Sequence, residues 1–349
     1  MLKKTKKRGG LNIHDLYNIK LFYICTLYVE ILTVLSMTSI RLFTFLGVLF
    51  TLVGCSKSNS KSNITTEELS LDFQKEYSID AEAKSFPALI DIEDFFVSGN
   101  SLVCFSDLDT FAVHCFNLND FSFQKKLGKR GEGPNEFNEP NVIKSKESIS
   151  ENNIVDTWRF KIIYNNDTIK IDNGLPNDIS EINNHLLGYY TLEAGDRCFK
   201  IFDKDLKTVT DSISMGSLSE DLKMKPFNWA TNGKQIIISF IKENIISILH
   251  PDIFDNDILL LKGSNLPSDK IAFLSPVCAE DKFYVINNNE VDFKTSSGES
   301  EIWSFDYEGN PVERIKTNII ATRMCYDNSN NRLILRGRDD DVLYTIHLN

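Results

Sequence analysis

Hydrophobic and polar positions along most of this chain follow the short period of strands, not the longer one of helices. Beyond residue 75 only residues 217–224 carry a helix-like pattern. Elsewhere, short apolar runs rich in Val, Ile, Leu, Phe and Tyr are bounded by Asn, Asp and Gly, which is the mark of β-structure. Two features recur. The first is a polar turn that opens directly into an apolar strand, at Asn100, Asn153, Asn184, Asn232, Asp281 and Asn331; successive turns are 53, 31, 48, 49 and 50 residues apart. The second is a strand that runs into an acidic or Asn-rich turn, clearest after Phe116, Phe202 and Phe305.

Six units of roughly 40–50 residues, each with room for four short strands, match the period of a β-propeller. The physics agrees: one four-stranded sheet cannot cover both of its faces, whereas a ring of such sheets covers them all. The expected fold class is therefore all-β, a six-bladed β-propeller with four-stranded blades over residues 69–349. The last unit stops where its fourth strand should begin, so an N-terminal strand, drawn from residues 69–78, is expected to close the ring. A β-sandwich, or two stacked β-domains, would show the same alternation; the regular period favours the ring.

The N-terminal stretch departs from this pattern. Arg41 precedes an uncharged run from Leu42 to Val53, followed by Gly54, Cys55 and a polar run of Ser, Asn and Lys to Asn63. A basic start, a short apolar stretch and a small residue at the cut describe a secretory signal. A membrane span needs about 20 apolar residues, more than this run supplies. Residues 52–55, Leu-Val-Gly-Cys, resemble the bacterial lipobox, which implies that Cys55 becomes a lipidated N-terminus. Met37 with Arg41 makes a signal of ordinary length. The expected organisation is an upstream extension over residues 1–36 from a misassigned start, a lipoprotein signal peptide over 37–54 and a flexible tether over 55–68.

Charge sharpens this division. Residues 1–54 hold seven basic and two acidic groups, leaving 31 basic and 47 acidic groups, a net −16, on the rest of the chain. A body that acidic repels phosphate backbones, so no nucleic-acid partner is expected. The five cysteines after Cys55 are irregularly spaced and form no disulfide framework, although Cys104 and Cys115 flank a hairpin and could face each other. No CxxC, HExxH, EF-hand or GxSxG pattern occurs, so no metal, no cofactor and no catalytic residue is nominated.

Between the first two units lies a glycine motif: Gly128, Gly131 and Gly133, then Pro134, Glu136 and Phe137. Its glycines permit positive φ and close backbone approach. One reading is an anion cradle assisted by Lys125, Lys126, Lys129 and Arg130; the other is a shaped loop between blades. The pattern GxxGxGPxEF resembles the signature of the six-bladed β-propeller lipoproteins of Bacteroides-type bacteria, often called TolB-like. Together with Leu52–Cys55 and the residues 304–311 hairpin, the resemblance extends over residues 69–349. It implies a six-bladed fold, a lipid anchor and a binding or sensing role in the cell envelope. An acidic cluster directly after the lipidated cysteine, which in that lineage marks export to the cell surface, is absent before Glu67, so a periplasm-facing protein is expected.

Trp158, Arg159 and Trp229 are the candidate pocket residues, since a propeller binds ligands over its channel with residues from several blades; packing between blades is the competing role. The expected function is a membrane-anchored binding or sensing module for a small molecule, glycan, peptide or envelope protein. The rival is a hydrolase or lyase on sugars or peptides at the channel mouth. Two or more buried carboxylates or histidines converging at the channel mouth would favour the enzyme, an apolar or aromatic funnel without them the binding module, and a large exposed apolar patch a scaffold.

Overall fold

The computed structural model describes residues 63–84, 92–133, 136–156, 161–164, 167–170, 176–183, 185–192, 195–203, 208–252, 255–263, 273–338 and 342–348. The signal peptide, Cys55, Pro134, Trp158 and Arg159 lie outside the described residues.

The described chain is a succession of antiparallel meanders. Those over residues 94–129, 140–170, 178–214, 227–262 and 273–317 have four strands each; the one over 321–347 has three. Their arrangement about a common channel makes the fold a β-propeller. Hydrophobic clusters fill the space between consecutive meanders. Leu187, Phe199 and Ile213 of the third, for example, meet Ile236, Ile238 and Phe240 of the fourth. A further cluster sets Phe95, Leu102 and Cys104 of the first meander against Cys325, Ile334 and Leu343 of the last.

This stacking explains the sequence pattern. The second strand of a meander is covered on both faces: Ile236–Phe240 is buried throughout, and Ser101–Phe105 is buried except at its last residue. Such a strand reads as an unbroken apolar run, not as an alternation. An outer strand such as Phe123–Lys129 is mostly exposed and polar. A fully buried Phe or Ile contributes about 1.5–3 kcal/mol, while ordering one residue's backbone costs about 1–2 kcal/mol. A lone meander with one covered face therefore falls short, and neighbours supply the difference.

The described strands form five hydrogen-bonded sheets, which corrects the expected count of six blades. The cause is one pairing: Ile179 and Ser180 run parallel to Ile143 and Lys144, joining the inner strands of two successive meanders into an eight-stranded sheet. The fusion falls at the short second unit, the 31-residue step, whose strands are only three to five residues long.

The N-terminal strands also differ from expectation. Asn63–Glu68, within the expected tether, is a strand that pairs parallel with Asp255–Lys262. Lys75–Ile79, expected to complete the last sheet, instead pairs parallel with Pro311–Thr317, where Tyr77 and Ile79 pack on a core cluster. Glu82–Lys84 supplies the fourth strand of the last sheet by pairing with Leu343–His347. Between the first two strands, Phe73 sets its ring 5.4 Å from Trp303 and 5.8 Å from Phe305.

Cys104 and Cys115 do not face each other. They lie on neighbouring strands, but Cys104 enters the cluster shared with Cys325 and Cys115 the one shared with Val142. Both thiols are free, and burial raises them, Cys115 to about 11.

Candidate functional site

Each meander turns its first strand toward the axis. Residues of Asp94–Ser98, Pro140–Lys144, Asp178–Ile182, Phe227–Thr231, Phe273–Cys278 and Ala321–Asp327 line one cavity of about 470 Å³. That volume falls within the usual range for a small-molecule site. The wall is mixed: Phe96, Phe227, Trp229 and Tyr326 bring aromatic surface, and seven lining residues are charged, namely Glu93, Asp94, Asp178, Glu181, Lys144, Lys146 and Arg323.

Lys144 organises three of the inner strands. Its Nζ lies 3.3 Å from Asp94 Oδ2 and 2.9 Å from Asp178 Oδ2. Burial works against its charge, but Asp178 and Asp94 more than offset this, so its pKa rises. Burial also works to raise Asp94, yet Lys144 and Arg323 prevail and its carboxyl falls below the ordinary value. Asp178 goes the other way, raised mainly by burial despite Lys144. Nearby, Ser145 Oγ donates to Glu181 Oε2 at 2.9 Å, and Lys146 Nζ donates to the Asn232 carbonyl at 2.6 Å.

Glu93 and Arg323 face the same space from the first and last meanders. Glu93 is pushed up to about 7, first by a hydrogen bond with the Asp107 carboxyl, then by burial and by the charges of Asp107 and Asp94. Arg323 pulls weakly the other way. Its Nη1 donates to Asn228 Oδ1 at 3.4 Å, a long contact. Beside it, Phe273–Cys278 is interrupted by a bulge between Leu274 and Val277, where Ser275 sits at φ 41°. The bulge lets Ser275 Oγ accept from the Met324 amide at 2.9 Å, tying two inner strands together. Bulges often aim side chains beside a site in this way.

Trp229 is half-buried, lines the cavity and also packs its ring 5.1 Å from Phe199. Trp303 is buried, donating from Nε1 to Glu301 Oε2 at 2.9 Å. The glycine motif lies away from the cavity lining and folds around its own Glu136. Gly133 N donates to Glu136 Oε2 at 2.9 Å, and Lys129 Nζ lies 2.7 Å from Glu136 Oε1. Phe137 is buried between the first two meanders. Gly128 is at φ 66° with its amide 3.2 Å from Glu151 Oε2. The anions cradled by these glycines are thus carboxylates of the chain itself.

Gly131, at φ 151°, takes a backbone conformation that L side chains rarely adopt, and a Cβ there would displace the Glu136 carboxylate. Gly131→Ala should cost about 1–3 kcal/mol in urea denaturation. Adding Glu136→Ala should recover part of that loss, because the colliding atoms are gone; strictly additive losses would contradict the wrapped-loop account. The motif also reaches toward the channel mouth: Arg130 Nη2 donates to the Ser106 carbonyl at 2.9 Å and lies 3.3 Å from Asp107 Oδ1.

Lys144, Asp94, Asp178, Glu93 and Arg323 carry no motif and escape a reading by spacing. Their only shared sign is position, at or near the inner strand that opens each meander. Carboxylates and aromatic rings converge on the same cavity, so the wall is neither the carboxylate-free funnel set for a binding module nor, with Asp94 and Asp178 still partly exposed, the buried cluster set for an enzyme.

No family model matches the chain, and no curated protein sequence does. Solved structures similar to it include the Cps50 (Swd1) β-propeller domain of Myceliophteria thermophila, at 10% identity and TM-score 0.47, covering 74% of this chain and 97% of that one. A DUF4221 family member from Bacteroides vulgatus matches at 11% identity and TM-score 0.46, over 76% of this chain and 96% of that one. Kuenenia stuttgartiensis hydrazine synthase matches at 11% identity and TM-score 0.44, over 74% of this chain and 84% of that one.

Proposed function

We propose that this chain is an envelope lipoprotein whose propeller binds a small molecule in its central channel. The observation that carries the reading is the cavity of about 470 Å³, walled by inner strands of every meander and lined with both aromatic and charged side chains. A purely structural axis would favour small apolar residues and would not gather seven ionisable groups, each costly to desolvate. In this reading the five sheets close into one ring, with Glu82–Lys84 completing the last of them. Support comes from the cluster that joins the first meander to the last and from the contribution of six inner strands to one cavity.

The anchor belongs to the same proposal: residues 37–54 are the signal, Cys55 the lipidated residue, and the propeller faces the periplasm. Cys55→Ala should move the protein from the membrane to the soluble fraction on cell fractionation, and undiminished membrane association would sink the anchor.

The binding claim is tested by thermal shift on the full chain against amino acids, dipeptides, hexoses, uronic acids and nucleosides. Ala230→Trp, which fills the channel without removing a polar partner, should abolish any stabilisation seen in the unaltered protein. Stabilisation that survives this substitution places the ligand elsewhere and overturns the reading. One observation speaks for the rival hydrolase or lyase, namely that Glu93 holds its proton up to about neutral pH beside Asp107, as a general acid must. Turnover of a panel sugar or peptide that is lost in Glu93→Gln would favour it.

A further inference from the structure

We propose that the ligand of this channel is amphoteric: a free amino acid or short peptide, its carboxylate on Arg323 and its ammonium on Glu93. The inference rests on the channel-binding reading above and deepens it.

The argument starts from which lining charges the protein satisfies by itself. Lys144 is held between two carboxylates. Arg323 and Lys146 have no carboxylate within ion-pair distance among the described residues; one reaches Asn228 at 3.4 Å and the other a backbone carbonyl. On the acidic side, Glu181 accepts from the Ser145 hydroxyl, and Glu93 shares a hydrogen bond with Asp107, whose own cation is Arg130. The cavity therefore presents unpaired groups of both signs. A neutral sugar would bury them uncompensated, at a cost of roughly 1–3 kcal/mol or more for each group. A simple anion would meet four acidic groups against three cations, and a simple cation would leave Arg323 alone. A zwitterion satisfies both sides and adds no net charge.

Placement agrees with that chemistry. Glu93 immediately precedes the inner strand of the first meander, and Arg323 is the third residue of the inner strand of the last. Those two meanders pack against each other, and the charge of Arg323 is felt at both Glu93 and Asp94. A guanidinium suits a carboxylate because its donors form a planar fork. The aromatic wall of Phe227, Trp229 and Tyr326 offers apolar surface to a side chain.

Isothermal titration of the full chain in detergent micelles tests this with phenylalanine, Ala-Phe and Phe-Ala, and with N-acetylated and C-amidated Ala-Phe. The free dipeptide should bind, and either cap should weaken it about tenfold or more, as expected for loss of one charge-assisted contact. Arg323→Gln should bind the free acid and the amide equally; Glu93→Gln should be indifferent to acetylation; Arg323→Lys should keep part of the preference for the free acid. Doubly capped Ala-Phe binding as well as the free dipeptide would overturn the proposal, on the unaltered protein alone. So would saturable, Ala230→Trp-sensitive binding of a hexose or uronic acid with none of the amino acid or peptides, an outcome that leaves the channel reading intact. Failure of every probe to bind at millimolar concentration overturns both.

Discussion

Arg332→Ala should lose about 3–5 kcal/mol of stability, enough to lower the melting temperature by on the order of 10 °C. Arg332 is 5% exposed, and its Nε lies 2.8 Å from Asp327 Oδ2; the Asp327 side chain is fully buried. Asp327 also caps the turn of its hairpin, accepting from the amides of Ser329 and Asn330 at 3.1 and 3.2 Å. The guanidinium extends further, donating from Nη2 to the Leu118 carbonyl and stacking 4.5 Å over the Phe121 ring. Leu118 and Phe121 belong to the first meander and Arg332 to the last, so one side chain spans the junction of the two ends of the chain. Truncation strands a buried carboxylate and removes the link across this junction. The expected cost comes mostly from the stranded charge, so Arg332→Met with Asp327→Asn should recover part of it. Urea denaturation measures both, and a loss under 1 kcal/mol for Arg332→Ala would contradict the buried pair as drawn. Backbone amides of Leu102 and Phe116 should also exchange faster in this variant, because their cluster spans the same junction.

The propeller was legible because its second strands are buried on both faces. Runs such as Ile236–Phe240 and Lys282–Asn287 stand out against polar turns, and they recur once per meander. The sheet count was not legible, since it turns on a two-residue parallel pairing of Ile179 and Ser180 with Ile143 and Lys144. Nothing local marks that contact. The N-terminal strands misled for a related reason: Lys75–Ile79 and Glu82–Lys84 are both short and mostly exposed, so their partners are chosen by what lies beside them after the meanders have packed. The glycine motif signalled unusual backbone, and Gly128 and Gly131 do take positive φ, but the carboxylate at its centre is the motif's own Glu136. The channel charges were the least legible of all. Asp94, Lys144, Asp178 and Arg323 lie on four different meanders, and only the packing of those meanders about one cavity makes neighbours of them. Trp229 was conspicuous by residue type alone, and its ring serves both the wall and the core.

Lys144→Met is expected to lose about 1–3 kcal/mol at pH 8, and to lose markedly less at pH 5. The magnitude is set below that of a fully buried pair because the three side chains remain 22–37% exposed and are partly screened. The pH dependence follows from the two carboxylates that the substitution leaves facing each other. With Lys144 present, Asp94 is held below its ordinary value, which adds stability above the unfolded pKa and loses it as pH falls through the folded one. Without the ammonium, burial and mutual repulsion drive at least one of the two carboxyls upward. A raised carboxyl binds its proton more tightly folded than unfolded. The variant's stability therefore falls as pH rises through that window and is regained as pH drops. Glu93, pushed up to about 7, and Asp178, also raised, already give this sign of slope in the unaltered protein, so the comparison reads the increase that follows loss of the ammonium. Urea midpoints at pH 5 and pH 8 for the two proteins give the difference directly. A deficit that is the same at both values would mean that Lys144 acts by packing its stem alone, and that the Asp94–Lys144–Asp178 bridge across three inner strands is not what holds the channel wall in place.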